Sequence, residues 1–380
     1  MEESRRLIGK DDAEVVPANV DIDLYAISNF ARAIGERNPI YTDTTYALTA
    51  YDAQVTRYGC LLAPPTIIAA ARHPASQGAF SSKDYGLANF FANAEAEWNG
   101  VIRIGDKVLS ELSLVDVREV AGWKGRRAAM LDSEAIYRNG YGAMVAKSRT
   151  SMSFTPFERG KEMFYERGMY KYSEDEVEKM IADLDSEAVR GSKPLYWEEV
   201  NVGDKLTPVV KGPYDMNDQI IWATATSAYI PVAELRYWET KEKPGLKRVN
   251  PATGWPYFHN DLEPEDINSC RLRGMPLPFD RGITRFALAG NLVTNWMSDE
   301  GFLRTLRVET PGPFLYGDTL WFRGQVVDKY KEKVGGAMYQ AADIAIEGVN
   351  QLGELTTRGT ATVYLPRRGC EVVLPVVGGV

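Results

Sequence analysis

Histidine is nearly missing from this chain, with 2 in 380 residues, His73 and His259. Any chemistry that moves a proton on an imidazole must use one of these two. Cysteine is scarce as well. The 3 present, Cys60, Cys270 and Cys370, are odd in number and show no CxxC spacing, which argues against a disulfide frame and a cysteine metal site and points to a reducing cytoplasm. No apolar run reaches membrane-spanning length. The first residues, Met1-Glu2-Glu3-Ser4-Arg5-Arg6, lack the charged-then-apolar pattern of an export leader. With a net charge of -8 and no long basic block, the chain offers nucleic acid little to hold. A phosphate loop is missing too, because Gly335-Gly336 and Gly378-Gly379 precede no GK[ST] pattern.

What is present is a globular composition, 44% hydrophobic and 11% aromatic, over a length that suggests two or three domains. The chain also repeats itself. Ile102-Arg103-Ile104-Gly105-Asp106-Lys107-Val108-Leu109 returns as Phe314-Leu315-Tyr316-Gly317-Asp318-Thr319-Leu320-Trp321. Each copy continues into alternating polar and apolar residues that read as a long strand, from Ala135 to Thr150 in the first and from Ala345 to Leu365 in the second. The division that follows is a first half over residues 1–156, a connector over 157–195 and a second half over 196–380.

Helices precede strands in both halves. Leu24, Ile27, Ala31 and Ile34 form one stripe, with Asp21 placed to cap it and Gly35 to end it. A second short helix is expected from about Tyr41, and the tandem Pro64-Pro65 suits the start of an apolar helix through Arg72. Strands follow to Phe154. In the second half, Asp215 opens a capped helix, and a long apolar helix runs from Gly282 to about Trp296 before strands from Leu306 to Leu365. A segment over about 229–278, rich in Trp, Tyr, Pro and charge, is inserted between those helices. In the connector, Ser173 followed by Glu174-Asp175-Glu176 is a helix start. These elements define an α+β protein.

Two stretches carry a family resemblance. Ala33-Ile34-Gly35-Glu36-Arg37-Asn38-Pro39-Ile40-Tyr41, with Ala63-Pro64-Pro65-Thr66, is similar to the amino-terminal domain of MaoC-like dehydratases. Pro278-Phe279-Asp280-Arg281-Gly282, with Gly312-Pro313-Phe314-Leu315-Tyr316-Gly317-Asp318, resembles the carboxy-terminal domain of the same fused proteins. The resemblance covers nearly the whole chain. It implies a double hot-dog fold, two antiparallel sheets each wrapped around a long central helix. It also implies a hydro-lyase of the enoyl-CoA hydratase type, adding water reversibly to a 2-enoyl-CoA thioester. Coenzyme A would enter as part of the substrate, with no separate cofactor and no metal. The expected partners are an acyl-CoA and further copies of the chain in a homodimer or higher oligomer, with neither nucleic acid nor membrane involved.

The family motif D-x-N-P-x-H unites a carboxylate and an imidazole on one water. In the first half it reads Glu36-Arg37-Asn38-Pro39-Ile40-Tyr41, so the acid is longer and a phenol, ordinarily titrating near pH 10, replaces the imidazole. In the second half His259-Asn260-Asp261 keeps the His-x-Asp end, while glycine stands at 254 where the family acid would be. His259 is therefore the expected acid/base, with Asp261, Asp280 or Glu36 as its carboxylate. Asp261 and Asp280 also have structural readings, as a turn residue and a helix cap. His73, at the end of an apolar helix, is expected to be structural. Gly282 opens the long helix, whose free amides can hold a thioester oxygen as it becomes an enolate. Arg271, Arg273, Arg281 and Arg285 are the candidates for the phosphates of coenzyme A. A hot-dog thioesterase, or an acyl-CoA-binding subunit without catalysis of its own, are the competing expectations.

Overall fold

The computed structural model describes residues 1–12, 15–49, 57–80, 87–158, 160–227, 233–242, 248–249, 254, 256–257, 264 and 266–376. After a one-turn helix, α1 (Glu2–Arg5), comes α2 (Leu24–Ala33). Its cap is Asp23, whose side chain accepts from the Ala26 amide at 2.8 Å. Asp21, expected in that role, pairs with Lys107 instead. The short helix expected from Tyr41 is two pieces, α3 (Pro39–Thr42) and α4 (Thr44–Thr49), because Asn38 and Asp43 each accept from backbone amides and restart the chain. A 3-10 turn at Pro65–Ile67 leads into α5 (Ile68–Ala71). Strands β1 (Leu87–Trp98), β2 (Val108–Ala121), β3 (Arg127–Asn139) and β4 (Met144–Pro156) complete the first half.

The connector carries α6 (Glu174–Asp185), closed at its start by the reciprocal Ser173 and Glu176 bonds its sequence announces. Then follow β5 (Val209–Lys211), α7 (Met216–Ala225) capped by Asp215, α8 (Ala233–Glu242), β6 (Arg248–Val249), β7 (Pro256–Tyr257) and α9 (Ile267–Leu272). The long helix is α10 (Ile283–Met297), and β8 (Phe302–Glu309), β9 (Leu320–Val334), β10 (Ala337–Asn350) and β11 (Leu355–Tyr364) end the fold.

The nine main strands form one sheet in the order β2-β3-β4-β1-β8-β11-β10-β9-β5, and β6 and β7 make a separate ribbon. Two sheets were expected, but antiparallel pairing of β1 with β8 joins the halves edge to edge, which removes an exposed edge from each. Buried Arg304 on β8 fastens the seam by donating to the Trp98 carbonyl at 2.6 Å and to Asn99 Oδ1 at 2.9 Å. The repeat is visible as geometry. In each copy the turn aspartate accepts from the amide three residues back, Asp106 from Arg103 at 2.8 Å and Asp318 from Leu315 at 2.9 Å, after a glycine at φ 87° or 84°. Those left-handed angles are why glycine stands there.

The two long strands expected from the alternating pattern are hairpins. Asn139 Oδ1 accepts from the Tyr141 and Ala143 amides, and Asn350 Oδ1 accepts from those of Leu352 and Glu354, all at 3.0 Å. An asparagine that satisfies two turn amides lets the alternation resume on the return strand. The central helices also differ from expectation. α10 is long and buried on every residue except half-buried Trp296, as a helix apolar on all sides must be. Its counterpart α5 is a single turn. Arg72 leaves the helix in an extended conformation, drawn to Asp11 and to the carbonyls of Asp12, Val15 and Ser110, and His73 precedes Pro74, which disfavours helical backbone.

Candidate active site

The two central helices run antiparallel. Thr66, in the turn before α5, lies against Gly290 in the middle of α10, while His73, past the end of α5, shares a cavity with Arg281 and Gly282 at the start of α10. That cavity has a volume of about 730 Å3. Its walls come from β1, β3, β4, the connector and the residues entering α10, so both halves build it.

The amino end of α10 forms one side. Gly282 occupies the cap position and has no side chain to close the helix. Thr284 and Arg285 donate their amides to the Arg281 and Gly282 carbonyls, whereas the Gly282 and Ile283 amides make no hydrogen bond among the described residues. Two open amides at the positive end of a helix are suited to an oxygen that gains negative charge. Glycine is required there for space, since a Cβ at 282 would stand 2.6 Å from Cβ of Phe91. The packing role expected of Gly282 is thereby met, at the residue whose amide is open.

Asp280, two residues before the helix cap, is buried and lines the cavity. Its Oδ2 accepts from Arg285 Nε at 2.9 Å, while its Oδ1 has no hydrogen-bond partner among the described residues. Burial raises its pKa above the usual carboxylate value, and the guanidinium of Arg285 opposes that rise. A carboxylate shifted upward on a cavity wall has the character of an acid/base group. It is not the cap of α10, because no side chain bonds the cap amides.

Of the four arginines, Arg285 is committed to the fold: Nε holds Asp280 and Nη1 donates to the Gly312 and Thr356 carbonyls at 2.6 and 2.7 Å. Arg273 lines the cavity with Nη2 on the carbonyl and side-chain oxygens of Asn89, and its guanidinium lies 5.5 Å from the Phe90 ring centre and 5.4 Å from that of Phe279. Arg281 is half-buried on the cavity wall, and Arg271 is exposed on α9 and absent from that wall. His73, expected to be structural, stands on the cavity wall. The residue is exposed there, and its Nδ1 lies 3.4 Å from both the amide nitrogen and the carbonyl oxygen of Ala75. Crowding of the ring by the cavity walls, with the positive charge of Arg281 nearby, lowers its pKa from the usual histidine value and favours the neutral ring. The one available signal was Pro74, which stops the helix before the histidine can cap it.

Glu36 and Tyr41 lie elsewhere. Glu36 Oε1 accepts from the Arg37 and Asn38 amides at 2.9 and 2.8 Å, and Oε2 accepts from Asn291 Nδ2 at 3.0 Å and from Thr294 Oγ1 at 3.4 Å. It ties the first half to the middle of α10, about 13 Å along the helix from Gly282 by helical rise. Tyr41 lines a space of about 20 Å3 at the other end of the helix pair, among Tyr58, Pro65, Trp98 and Asp299. Burial pushes its phenol well above the usual value, with the charges of Glu36 and Asp299 adding to the effect. His259 and Asp261 lie outside the described residues. No group of residues able to hold a metal occurs among the described residues, and no helix among them is long and apolar enough to cross a membrane.

A mixed α/β chain with a continuous antiparallel sheet, a buried central helix and a cavity at that helix's amino end defines the hot-dog class. Residues 12–148 match the family model described as FAS1-like, dehydratase domain region. A solved structure named MaoC-like dehydratase aligns over 95% of this chain and 99% of its own, at 14% identity and a TM-score of 0.63. Full-length peroxisomal multifunctional enzyme type 2 from Drosophila melanogaster aligns over 90% of this chain and 47% of its own, at 11% identity and a TM-score of 0.48. A Mycobacterium tuberculosis protein described as having a double hotdog fold aligns over 94% of this chain and 96% of its own, at 10% identity and a TM-score of 0.46. No curated protein matches by sequence. The resemblance read from the motifs holds: the chain has the fold of a MaoC-like dehydratase, and its first half matches the dehydratase domain region.

Proposed function

We propose that this protein is an acyl-CoA hydratase/dehydratase that adds water reversibly to a 2-enoyl-CoA thioester, and that the cavity at the amino end of α10 is where it does so. The observation that carries the proposal is the meeting, on one cavity, of two unbonded helix amides and a buried carboxylate with one oxygen unpaired. The thioester carbonyl accepts from the Gly282 and Ile283 amides. Asp280 takes a proton from water as the water oxygen bonds to the β-carbon, the π pair moves toward the carbonyl, and the resulting enolate takes that proton at the α-carbon, which returns Asp280 to its carboxylate form. Oxygen held by preorganised amides gains most as the enolate forms, which is where stabilisation accelerates the reaction.

His259 remains in this proposal as the group that shares the water with the carboxylate, and Arg281 as the cavity cation placed to meet a coenzyme A phosphate. Incubating the purified chain with a 2-enoyl-CoA tests the reading. The enoyl absorbance should fall without release of free thiol, and His259→Ala and Asp280→Asn should each slow the reaction by about a hundredfold or more. Thiol release in place of the absorbance change would assign a thioesterase. Tight binding without turnover would assign an acyl-CoA-binding subunit.

A further inference from the structure

The walls of the cavity carry an unusual side-chain set. Phe90 and Phe91 are neighbours on β1, both half-buried and both on the cavity, where the ladder to β4 shifts register just after Phe91. Trp123 reaches it from the turn between β2 and β3, and Phe164 from the connector. Phe164 meets the edge of Phe90 at 5.0 Å between ring centres and stands 4.7 Å from Trp123. Beyond Phe90 the Arg273 guanidinium lies beside that ring and Phe279, whose centres are 6.4 Å apart. Three methionines, Met130, Met152 and Met275, complete the lining.

We propose that the acyl group received by this cavity is aromatic. The proposal rests on the reading of the cavity as a thioester site and names the class of substrate it takes. Aromatic rings and methionine side chains line the space, and both favour a π face over a methylene chain. Aromatic edges prefer ring partners, and thioether sulfur contacts rings favourably. An alkyl chain gains from such walls only by the area it buries. Size points the same way. A volume of about 730 Å3 lies within the range of sites that enclose drug-sized ligands, and a four-carbon acyl group would leave much of the wall without contacts. Half-buried rings from three separate segments, converging on one cavity, are surface that a ligand covers.

The test compares binding of saturated thioesters, which cannot be hydrated, by calorimetry on the full chain. The probes are 3-phenylpropanoyl-CoA, the carbon-matched nonanoyl-CoA, and butanoyl-CoA. The phenyl ester should bind roughly tenfold more tightly than either alkyl ester. Trp123→Leu and Phe164→Leu should reduce that preference to about threefold or less while leaving nonanoyl-CoA affinity nearly unchanged. Because Trp123 sits on a turn, its variant keeps the comparison available if Phe164→Leu misfolds, and thermal melting identifies which variants are folded. Equal or tighter binding of nonanoyl-CoA overturns the aromatic assignment and leaves the hydratase reading standing. Failure of every CoA ester to bind overturns both.

Discussion

At the scale of single residues, the chain separates two carboxylates that its sequence left as alternatives. Asp280 lines the cavity and leaves one buried oxygen unpaired, whereas both oxygens of Glu36 are bonded. Burial raises both pKa values, with different consequences. For Asp280 acting as base, the ionised form is needed, so kcat should fall as pH drops through a value above the ordinary 3.8. Replacing Arg285 with Gln removes the charge that opposes the rise and should move this acidic limb to higher pH in a kcat profile. For Glu36 the readout is stability. A raised folded-state pKa means the native state binds more protons than the unfolded one, so the contribution is greatest below about 4.5 and declines as pH rises through the folded value. The stability difference between wild type and Glu36→Gln should therefore shrink or reverse with rising pH in denaturant titrations. Glu36→Ala, which strands Asn291 and two backbone amides, should cost about 3 kcal/mol. The motif frame around Glu36 was legible in sequence, but its role was not, because its partners lie 255 and 258 residues away.

At the scale of elements, local signals were reliable where the chemistry was local. Ser173 and Asp215 cap the helices they were expected to cap, and the Gly-Asp turns recur in the two copies. The hairpins were legible only in part: Asn139-Gly140 is a turn pair that the polar-apolar alternation overrode, whereas Asn350-Gln351-Leu352-Gly353 separates its asparagine from its glycine. The shortness of α5 escaped because it depends on Arg72 reaching Asp11, a contact across 61 residues. The same break past α5 places His73 on the cavity wall. The element that matters most is α10, whose amino end is set by Gly282 against Phe91. Gly282→Ala forces that contact apart and should cost about 1–3 kcal/mol by overpacking. It should also lower kcat by roughly tenfold, as misplaced oxyanion donors do. Combining it with Phe91→Ala should restore much of the loss, which kinetics and chemical denaturation on the four proteins would measure.

At the scale of the whole molecule, the two copies are unequal. One end of the helix pair holds a cavity of about 730 Å3, and the other end a space of about 20 Å3. The halves are interdependent as well: α10 of the second half anchors Glu36 of the first, and the β1–β8 seam is clamped by Arg304. Residues 1–156 made alone should lack a cooperative thermal transition and regain one when mixed with residues 157–380. The sequence pattern exposed the duplication but could not reveal which end is open, since that depends on packing between halves. The most direct test of the account is hydration of a 2-enoyl-CoA in water enriched in heavy oxygen, with the products weighed by mass spectrometry. The account predicts a 3-hydroxyacyl-CoA, its thioester intact, carrying the heavy oxygen on the new hydroxyl. Heavy oxygen appearing only in a free carboxylic acid, or an enoyl ester recovered unlabelled, would contradict it.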